Sequence, residues 1–383
     1  MPNRQDTSSL TRRSSTNALN TQSHCVHTLT QEEDSVLSLA ATEKLLFSGG
    51  QGAHHSDIHV WELEHFQLVT NLKGHLGSIL SLTLCEDGKW LFSSSGDGTV
   101  RVWDTETFKC LYHIHSSQDV GDVFSVVFSD TLNTMYIGCQ NTSIQWFDFS
   151  DSNADAPQSP NITHALRSHM PRFFEGPQTV KEPEEQVTRY SIPDSGIYQN
   201  SHFGYVYCLL LGKVPNTEDE ILFSGSGEGD IKLWKLHKGK PIELWKTLKV
   251  GLDAGTLTLA LHDGFLFCGS QGGNIKIFDL ETFQLIRSLI AHEDDVLSLV
   301  VRGSQVYSAS ADGAVKQWNR SFELLQTWND HHGSVLSLTS TRDFLISGGS
   351  DKLIKVWSIG KSNAQADPMD PASGGKRGMF RKQ

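Results

Sequence analysis

A unit of roughly forty residues recurs along the whole chain and limits what the chain can fold into. Its clearest copy runs from Trp90 to Asp104, WLFSSSGDGTVRVWD, and reads as a strand, a tight turn around Gly96-Asp97-Gly98, and a second strand ending in Trp103-Asp104. Further copies are KLLFSGG…IHVWEL from Lys44, TMYIGCQNTSIQWFDF from Thr134, EILFSGSGEGDIKLWKL from Glu220, GFLFCGSQGGNIKIFDL from Gly264, SQVYSASADGAVKQWN from Ser304 and DFLISGGSDKLIKVWSI from Asp343. The terminal aromatic slot falls at Trp61, Trp103, Phe147, Trp234, Phe278, Trp318 and Trp357, with gaps of 42, 44, 87, 44, 40 and 39 residues. A period of about 40–45 residues ending in Trp-Asp is the mark of a four-stranded propeller blade. Seven copies predict an all-β, seven-bladed β-propeller.

Only the gap of 87 breaks the rhythm. Residues 149–200 contain no small-residue turn followed by an aromatic slot, and prolines 157, 160, 171, 177 and 183 argue against strands there. The segment reads as an insertion between blades three and four. The expected organisation is a disordered tail over 1–23, a propeller over 24–360 and a flexible tail over 361–383.

Each blade opens with an apolar strand that should line the central channel: SVLSLA, SILSLTL, DVFSVVF, YVYCLLL, TLTLALH, DVLSLVV and SVLSLTS. The seventh copy stops after its third strand, at Ile359. Residues 24–30, HCVHTLT, precede the first inner strand with no blade of their own. The two deficits match. An N-terminal outer strand completing the last blade closes the ring and removes open sheet edges.

Histidine, serine, aspartate and tryptophan recur at fixed offsets in blades two, six and seven: His75, Ser93, Asp97, Trp103; His292, Ser308, Asp312, Trp318; and His331, Ser347, Asp351, Trp357. The residue types evoke hydrolase chemistry, but an active site need occur only once. A buried indole needs an acceptor, a hydroxyl can supply it, and a histidine can bridge that hydroxyl to a turn carboxylate. The sets therefore read as structural. In the other blades the Asp slot holds His55, Asn141, Glu228 and Gly272, and these blades are expected to lean more on apolar packing.

No G-x-S-x-G, Walker A or H-E-x-x-H pattern occurs, so neither a catalytic residue nor a cofactor or metal site is expected. A net charge of −12 disfavours nucleic acid and anionic membranes as partners. The six cysteines show no CxxC spacing, which fits inert thiols in a reducing, cytoplasmic setting. Protein partners remain. The loops before the inner strands carry Glu32, Glu33, Asp34, Asp119, Asp122, Asp253, Glu293, Asp294, Asp295 and Asp330, which suggests an acidic mouth for a basic partner segment. Local turn hydrogen bonding explains acidic residues there equally well. Arg172, Phe173 and Phe174 of the insertion are a second candidate contact.

The repeats resemble the WD-repeat family. Gly121-Asp-Val-Phe-Ser-Val126, Tyr136-Ile-Gly-Cys-Gln-Asn141 and, after a long insertion, His202-Phe-Gly-Tyr-Val-Tyr207 are similar to the N-terminal propeller of the large subunit of the fungal glutathione-degradation complex. The resemblance implies a scaffold in a γ-glutamyl-cleaving assembly with a partner of the glutamine-amidotransferase type. Relatives of that kind continue into a zinc-peptidase-like domain. This sequence ends at Gln383, so the chain is expected to hydrolyse nothing alone. The alternative is a generic WD-repeat adaptor or substrate receptor in an unrelated intracellular assembly.

Overall fold

The computed structural model describes residues 25–31, 34–51, 56–150, 187–251 and 254–359. The tails expected over 1–23 and 361–383 lie outside them. Strand β1 (Cys25–Thr30) is followed by blade one, β2 (Ser35–Ala41), β3 (Leu45–Gln51), β4 (Ile58–Glu62) and β5 (Gln67–Leu72). Blade two is β6 (Ile79–Leu84), β7 (Trp90–Ser95), β8 (Thr99–Asp104) and β9 (Cys110–Ser116). Blade three begins with β10 (Val123–Ser129), β11 (Thr134–Cys139) and β12 (Ile144–Asp148); β13 (Thr188–Ile192) and β14 (Ile197–Tyr198) come after the long gap. Blade four is β15 (Val206–Lys213), β16 (Glu220–Ser226), β17 (Ile231–Lys235) and β18 (Glu243–Leu248). Blade five is β19 (Thr256–His262), β20 (Phe265–Ser270), β21 (Asn274–Asp279) and β22 (Gln284–Ile290). Blade six is β23 (Val296–Arg302), β24 (Gln305–Ser310), β25 (Val315–Trp318) and β26 (Leu324–Trp328), and blade seven starts with β27 (Val335–Ser340), β28 (Phe344–Gly349) and β29 (Leu353–Ser358).

These strands form seven separate sheets, one per blade. Strand β1 pairs antiparallel with β29, from Cys25 opposite Trp357 to Thr30 opposite Leu353, and supplies the fourth strand of blade seven. Leu29 is buried in the core shared by blades seven and one, beside Ile346 and Ile354. The ring is latched by its N-terminal strand.

Residues 149–200 depart from the strand-free insertion expected there. Strand β14 pairs with β12 as the fourth strand of blade three, so the long segment interrupts blade three instead of separating it from blade four. Strand β13 crosses back to blade two and adds a fifth strand parallel to β9, Thr188 opposite Tyr112 through Ile192 opposite Ser116. Five of the segment's six prolines precede Val187 and the sixth, Pro193, follows Ile192, leaving TRYSI free to pair. Outer strands carry no turn-and-aromatic signature, and β14 is two residues long, so repeat spacing alone could not register it.

Three features recur at the blade contacts. Every inner strand carries a bulge at the same register, between residues 36/38, 79/81, 123/125, 206/208, 256/258, 296/298 and 335/337. Just after it, small polar groups stitch adjacent blades: Ser38 Oγ donates to Ile79 O at 3.1 Å, Leu209 N donates to Ser125 Oγ at 3.1 Å, Leu338 N to Ser298 Oγ at 3.1 Å, and Ser337 Oγ to Val36 O at 3.5 Å. Glycines such as Gly49, Gly138, Gly225, Gly269 and Gly348 lie against the next blade's first inner residue, where a Cβ would come within 3 Å of the side chain of Ile79, Val206, Thr256, Val296 or Val36. Close approach of the blades requires their absent side chains.

A last contact comes from the turns before the outer strands. Phe66, Phe108, Phe283 and Phe322 adopt left-handed backbones, φ 58–61°, a conformation costing about 1–3 kcal/mol for such residues. The rings reach apolar neighbours: Phe66 meets Phe344 of blade seven edge-on at 5.7 Å, and Phe283 meets Trp245 of blade four at 5.3 Å. Burying a ring against the preceding blade offsets the strain.

Candidate functional site

The recurring polar sets sit at the end of each blade where the incoming loop meets the turn between the second and third strands. In blade two Trp103 Nε1 donates to Ser93 Oγ at 2.8 Å, Ser93 Oγ lies 2.8 Å from His75 Nε2, and His75 Nδ1 lies 2.8 Å from Asp97 Oδ2. Blade six repeats this with Trp318, Ser308, His292 and Asp312 at 2.9, 2.8 and 2.9 Å. Blade seven uses Trp357, Ser347, His331 and Asp351 at 3.0, 2.8 and 3.0 Å. The chain has one direction. Because the indole can only donate, the hydroxyl proton turns to His Nε2, which leaves Nδ1–H to donate to the carboxylate.

A fourth set, in blade four, escaped the sequence reading. Trp234 Nε1 donates to Ser224 Oγ at 2.8 Å, Ser224 Oγ is 2.7 Å from His202 Nε2, and His202 Nδ1 is 2.6 Å from Glu228 Oε1. Ser224 and Glu228 keep the offsets from tryptophan seen in blade two, but His202 lies 22 residues before its serine, against 18, 16 and 16 in the other sets. Blade one has a shortened version: Trp61 Nε1 donates to Ser48 Oγ and Ser48 Oγ donates to Gln31 Oε1, both at 2.9 Å. In blades three and five phenylalanine replaces tryptophan, and the serine slot becomes Ile137 or Cys268, both buried. Without an indole N–H, no hydroxyl is needed.

Electrostatics follow burial and hydrogen bonding. Burial lowers the pKa of His202 to about 4, although the hydrogen bond and charge of Glu228 oppose it. Burial also lowers His292 and His331 against the pull of Asp312 and Asp351. Burial pushes Asp97 up, but the charge and hydrogen bond of His75, with those from Thr99 and Leu76, hold it well below the usual carboxylate range. The serines 93, 224, 308 and 347 are fully buried, with no exposed surface. Each buried hydroxyl is engaged by the indole and the imidazole of its own blade, so these buried polar groups satisfy one another. Among the described residues, no group of three or more histidine, cysteine or acidic side chains is placed to hold a metal ion.

The proposed acidic mouth is divided by the structure. Glu293, Asp294 and Asp330 are exposed, and Asp119 and Asp295 are half-buried. Asp34 and Asp122 are buried, at 6% and 0% exposure, and cannot form part of an open acidic surface. Their turns bring them inward: Asp34 N donates to Gln31 O, and Asp122 N donates to Gln140 Oε1. The half-buried Asp295 is also committed locally, accepting from Gly272 N at 2.8 Å. Glu32, Glu33, Asp253, Arg172, Phe173 and Phe174 lie outside the described residues.

One surface residue was not anticipated. Phe203, in the loop entering blade four, is 95% exposed. Its backbone N–H donates to Glu228 Oε2 at 3.1 Å, and Lys232 Nζ stands 6.0 Å from its ring. The same carboxylate that anchors His202 thus fixes the backbone that displays this ring. A long exposed aromatic inside HFGYVY is the only sequence signal, and strand periodicity hides it.

The WD domain, G-beta repeat family matches residues 66–104, 283–319 and 322–358. A Saccharomyces cerevisiae protein, "Probable di- and tripeptidase DUG2", is 28% identical over 74% of this chain, and the match spans 39% of that protein. The human kinesin-like protein KIF21B is 25% identical over 77% of this chain and 19% of its own length. The chain therefore spans well under half of either relative. Among solved structures, the computationally designed Ika8 protein aligns with a TM-score of 0.56 and 21% identity, covering 86% of this chain and 98% of that one, a likeness of fold alone. Seven four- and five-stranded sheets closed in one ring make this chain a seven-bladed β-propeller, three stretches of which match the WD domain, G-beta repeat.

Proposed function

We propose that this chain is a non-catalytic protein-interaction scaffold that serves as the propeller module of a glutathione-degrading, γ-glutamyl-cleaving complex in the cytoplasm. The observation that carries the reading is Phe203: a large apolar ring, almost wholly exposed, on a backbone fixed by Glu228. A pre-positioned exposed aromatic is the kind of residue that anchors protein interfaces. Glu293, Asp294 and Asp330, exposed on the loops that enter blades six and seven, support an additional acidic contact for a basic partner segment. The likeness to the yeast di- and tripeptidase supports the assignment to peptide-bond chemistry carried by other parts of an assembly. Among the described residues no disulfide joins the six cysteines, which fits a reducing compartment.

The second reading, a general adaptor in an unrelated assembly, is favoured by the kinesin-like relative, which matches a comparable share of this chain. Affinity purification of the tagged chain from its native cells separates the two. Recovery of an amidotransferase-like subunit, weakened at least about tenfold by Phe203→Ala, supports the first reading. A different assembly lost on the same substitution supports the second. Binding unchanged by Phe203→Ala removes the role given to this residue, and γ-glutamyl hydrolysis by the purified chain alone overturns both.

A further inference from the structure

The junction of blades two and three holds a hollow of about 100 Å³ walled by five aromatic rings, Trp90, Tyr112, Phe147, Phe149 and Tyr190. Neighbouring ring centroids form a closed circuit: Trp90 to Tyr112 is 6.0 Å, on to Tyr190 5.6 Å, to Phe147 5.2 Å, to Phe149 5.0 Å, and back to Trp90 5.7 Å. The repeat pattern alone does not build it. Strand β13 delivers Tyr190 by crossing back to β9, where it stands opposite Ile114. Just past β12, the N–H of Phe149 donates to Asn133 O at 3.0 Å and fixes the next ring. Phe147 is buried, whereas the other four rings are half-buried and keep part of their surface open.

The remaining two walls are Asn133 and Asp148, and no lysine, arginine or histidine lines the hollow among the described residues. Asp148 Oδ1 accepts from Ser150 N at 2.7 Å. Among the described residues the other oxygen of that carboxylate has no donor, and no cation pairs with it. The Asn133 amide donates to Ser150 Oγ at 3.3 Å, which leaves its own oxygen as a further acceptor. An anion in this hollow would be repelled by Asp148, and an apolar group would desolvate a carboxylate without compensating it. A cation suits both kinds of wall, since ring faces attract positive charge and the carboxylate accepts its N–H. We propose that this hollow binds an alkylammonium group, with its carbons against the rings and its N–H donating to Asp148. A lysine side chain of a protein partner and a free primary amine present the same group, and the experiment below separates them. The inference stands apart from the scaffold reading, which rests on Phe203 of another blade, so either can fail alone.

Titrated into the full chain and followed by NMR, n-butylammonium should bind saturably with a Kd of about 10 mM or tighter. Its neutral counterpart n-butanol should bind at least about tenfold more weakly. Asp148→Asn keeps an acceptor for Ser150 N and should abolish that preference, while Glu281→Gln, exposed on blade five, should leave it intact. Tyr190→Leu removes one ring and should weaken the amine by about two- to fivefold. Circular dichroism melts show whether each variant is folded, and the preference of the unaltered chain for amine over alcohol needs no variant at all. A blocked lysine tripeptide bound as tightly as n-butylammonium assigns the site to a protein partner; one bound at least about tenfold more weakly assigns it to a free amine. No saturable binding, equal affinity for amine and alcohol, or a preference that survives Asp148→Asn would each overturn the proposal.

Discussion

Gln31 accepts the hydroxyl proton of Ser48 at 2.9 Å, taking the place that histidine holds in four other blades. Gln31 directly follows β1, and its N–H donates to Lys352 O at 2.9 Å. One short segment therefore latches blade seven and completes the hydrogen-bond chain of blade one. Removing residues 1–31 should abolish cooperative unfolding and leave aggregated protein, because both sides of the seam are lost together. Gln31→Ala should spare the ring and cost about 1–3 kcal/mol. Urea unfolding of the two proteins checks this, and a truncated chain with the full-length midpoint would contradict it.

The blade-four set gives a second test. Ser224→Ala strands the fully buried Trp234 indole and His202 together, and should lower stability by about 1–3 kcal/mol. Adding Trp234→Phe to Ser224→Ala should cost less than the two single changes summed, because the orphaned donor goes with the indole. Blades three and five, with Phe147 and Phe278, already live with that combination. Strict additivity in the double-mutant cycle would argue against coupling through the hydroxyl.

Acid should weaken the ring before the carboxylates titrate. His202 falls from 6.5 to about 4 on burial, so between these values the unfolded chain binds a proton that the folded chain refuses. Stability is then complete above about pH 6.5 and declines as pH drops, by about 2 kcal/mol at pH 5 from this residue alone. His292 and His331 shift in the same direction and add to the loss. Asp312 and Asp351 end below their ordinary value, since backbone and histidine hydrogen bonds outweigh the upward push of burial, and their contribution is lost only in stronger acid. Melting curves from pH 7.5 to 4.5 should fall steadily, less steeply for His202→Gln; a flat profile would refute the assignment.

Spacing between blades can be probed at Gly225. A Cβ there would stand 2.4 Å from Thr256 Cγ2 and 2.6 Å from Cys208 Sγ. Gly225→Val should therefore destabilise by at least about 1–3 kcal/mol through overpacking, while Gly239→Ala, where nothing lies within 4 Å, should cost far less despite its left-handed φ of 65°. Equal losses would place the effect in backbone strain and not at the blade contact.

Blade number and closure were legible because both rest on strong local patterns: an aromatic slot every forty-odd residues, and two incomplete ends that fit together. What escaped has a physical reason in each case. Strand β13 pairs in parallel with a strand more than seventy residues earlier, and no local periodicity encodes such a partner. Ser224 and Glu228 stand at the usual offsets from Trp234, but His202 lies 22 residues before its serine where the other sets have 18 or 16, which a fixed spacing cannot register. Acidic residues at strand entrances looked alike in sequence, yet Asp122 is turned fully inward while Glu293 stands in solvent. Chain direction at a turn, not composition, decided between them.

Pairing of β1 with β29 also leaves Cys25 beside Trp357, so the two points where the polypeptide enters and leaves the ring are neighbours. A short tether between them would produce a continuous loop of chain, which could be reopened in the interruption of blade three. Such a permutant would transfer the seam from the seventh wedge to the third, and its refolding rate would report whether the position of the seam, or merely its existence, governs assembly.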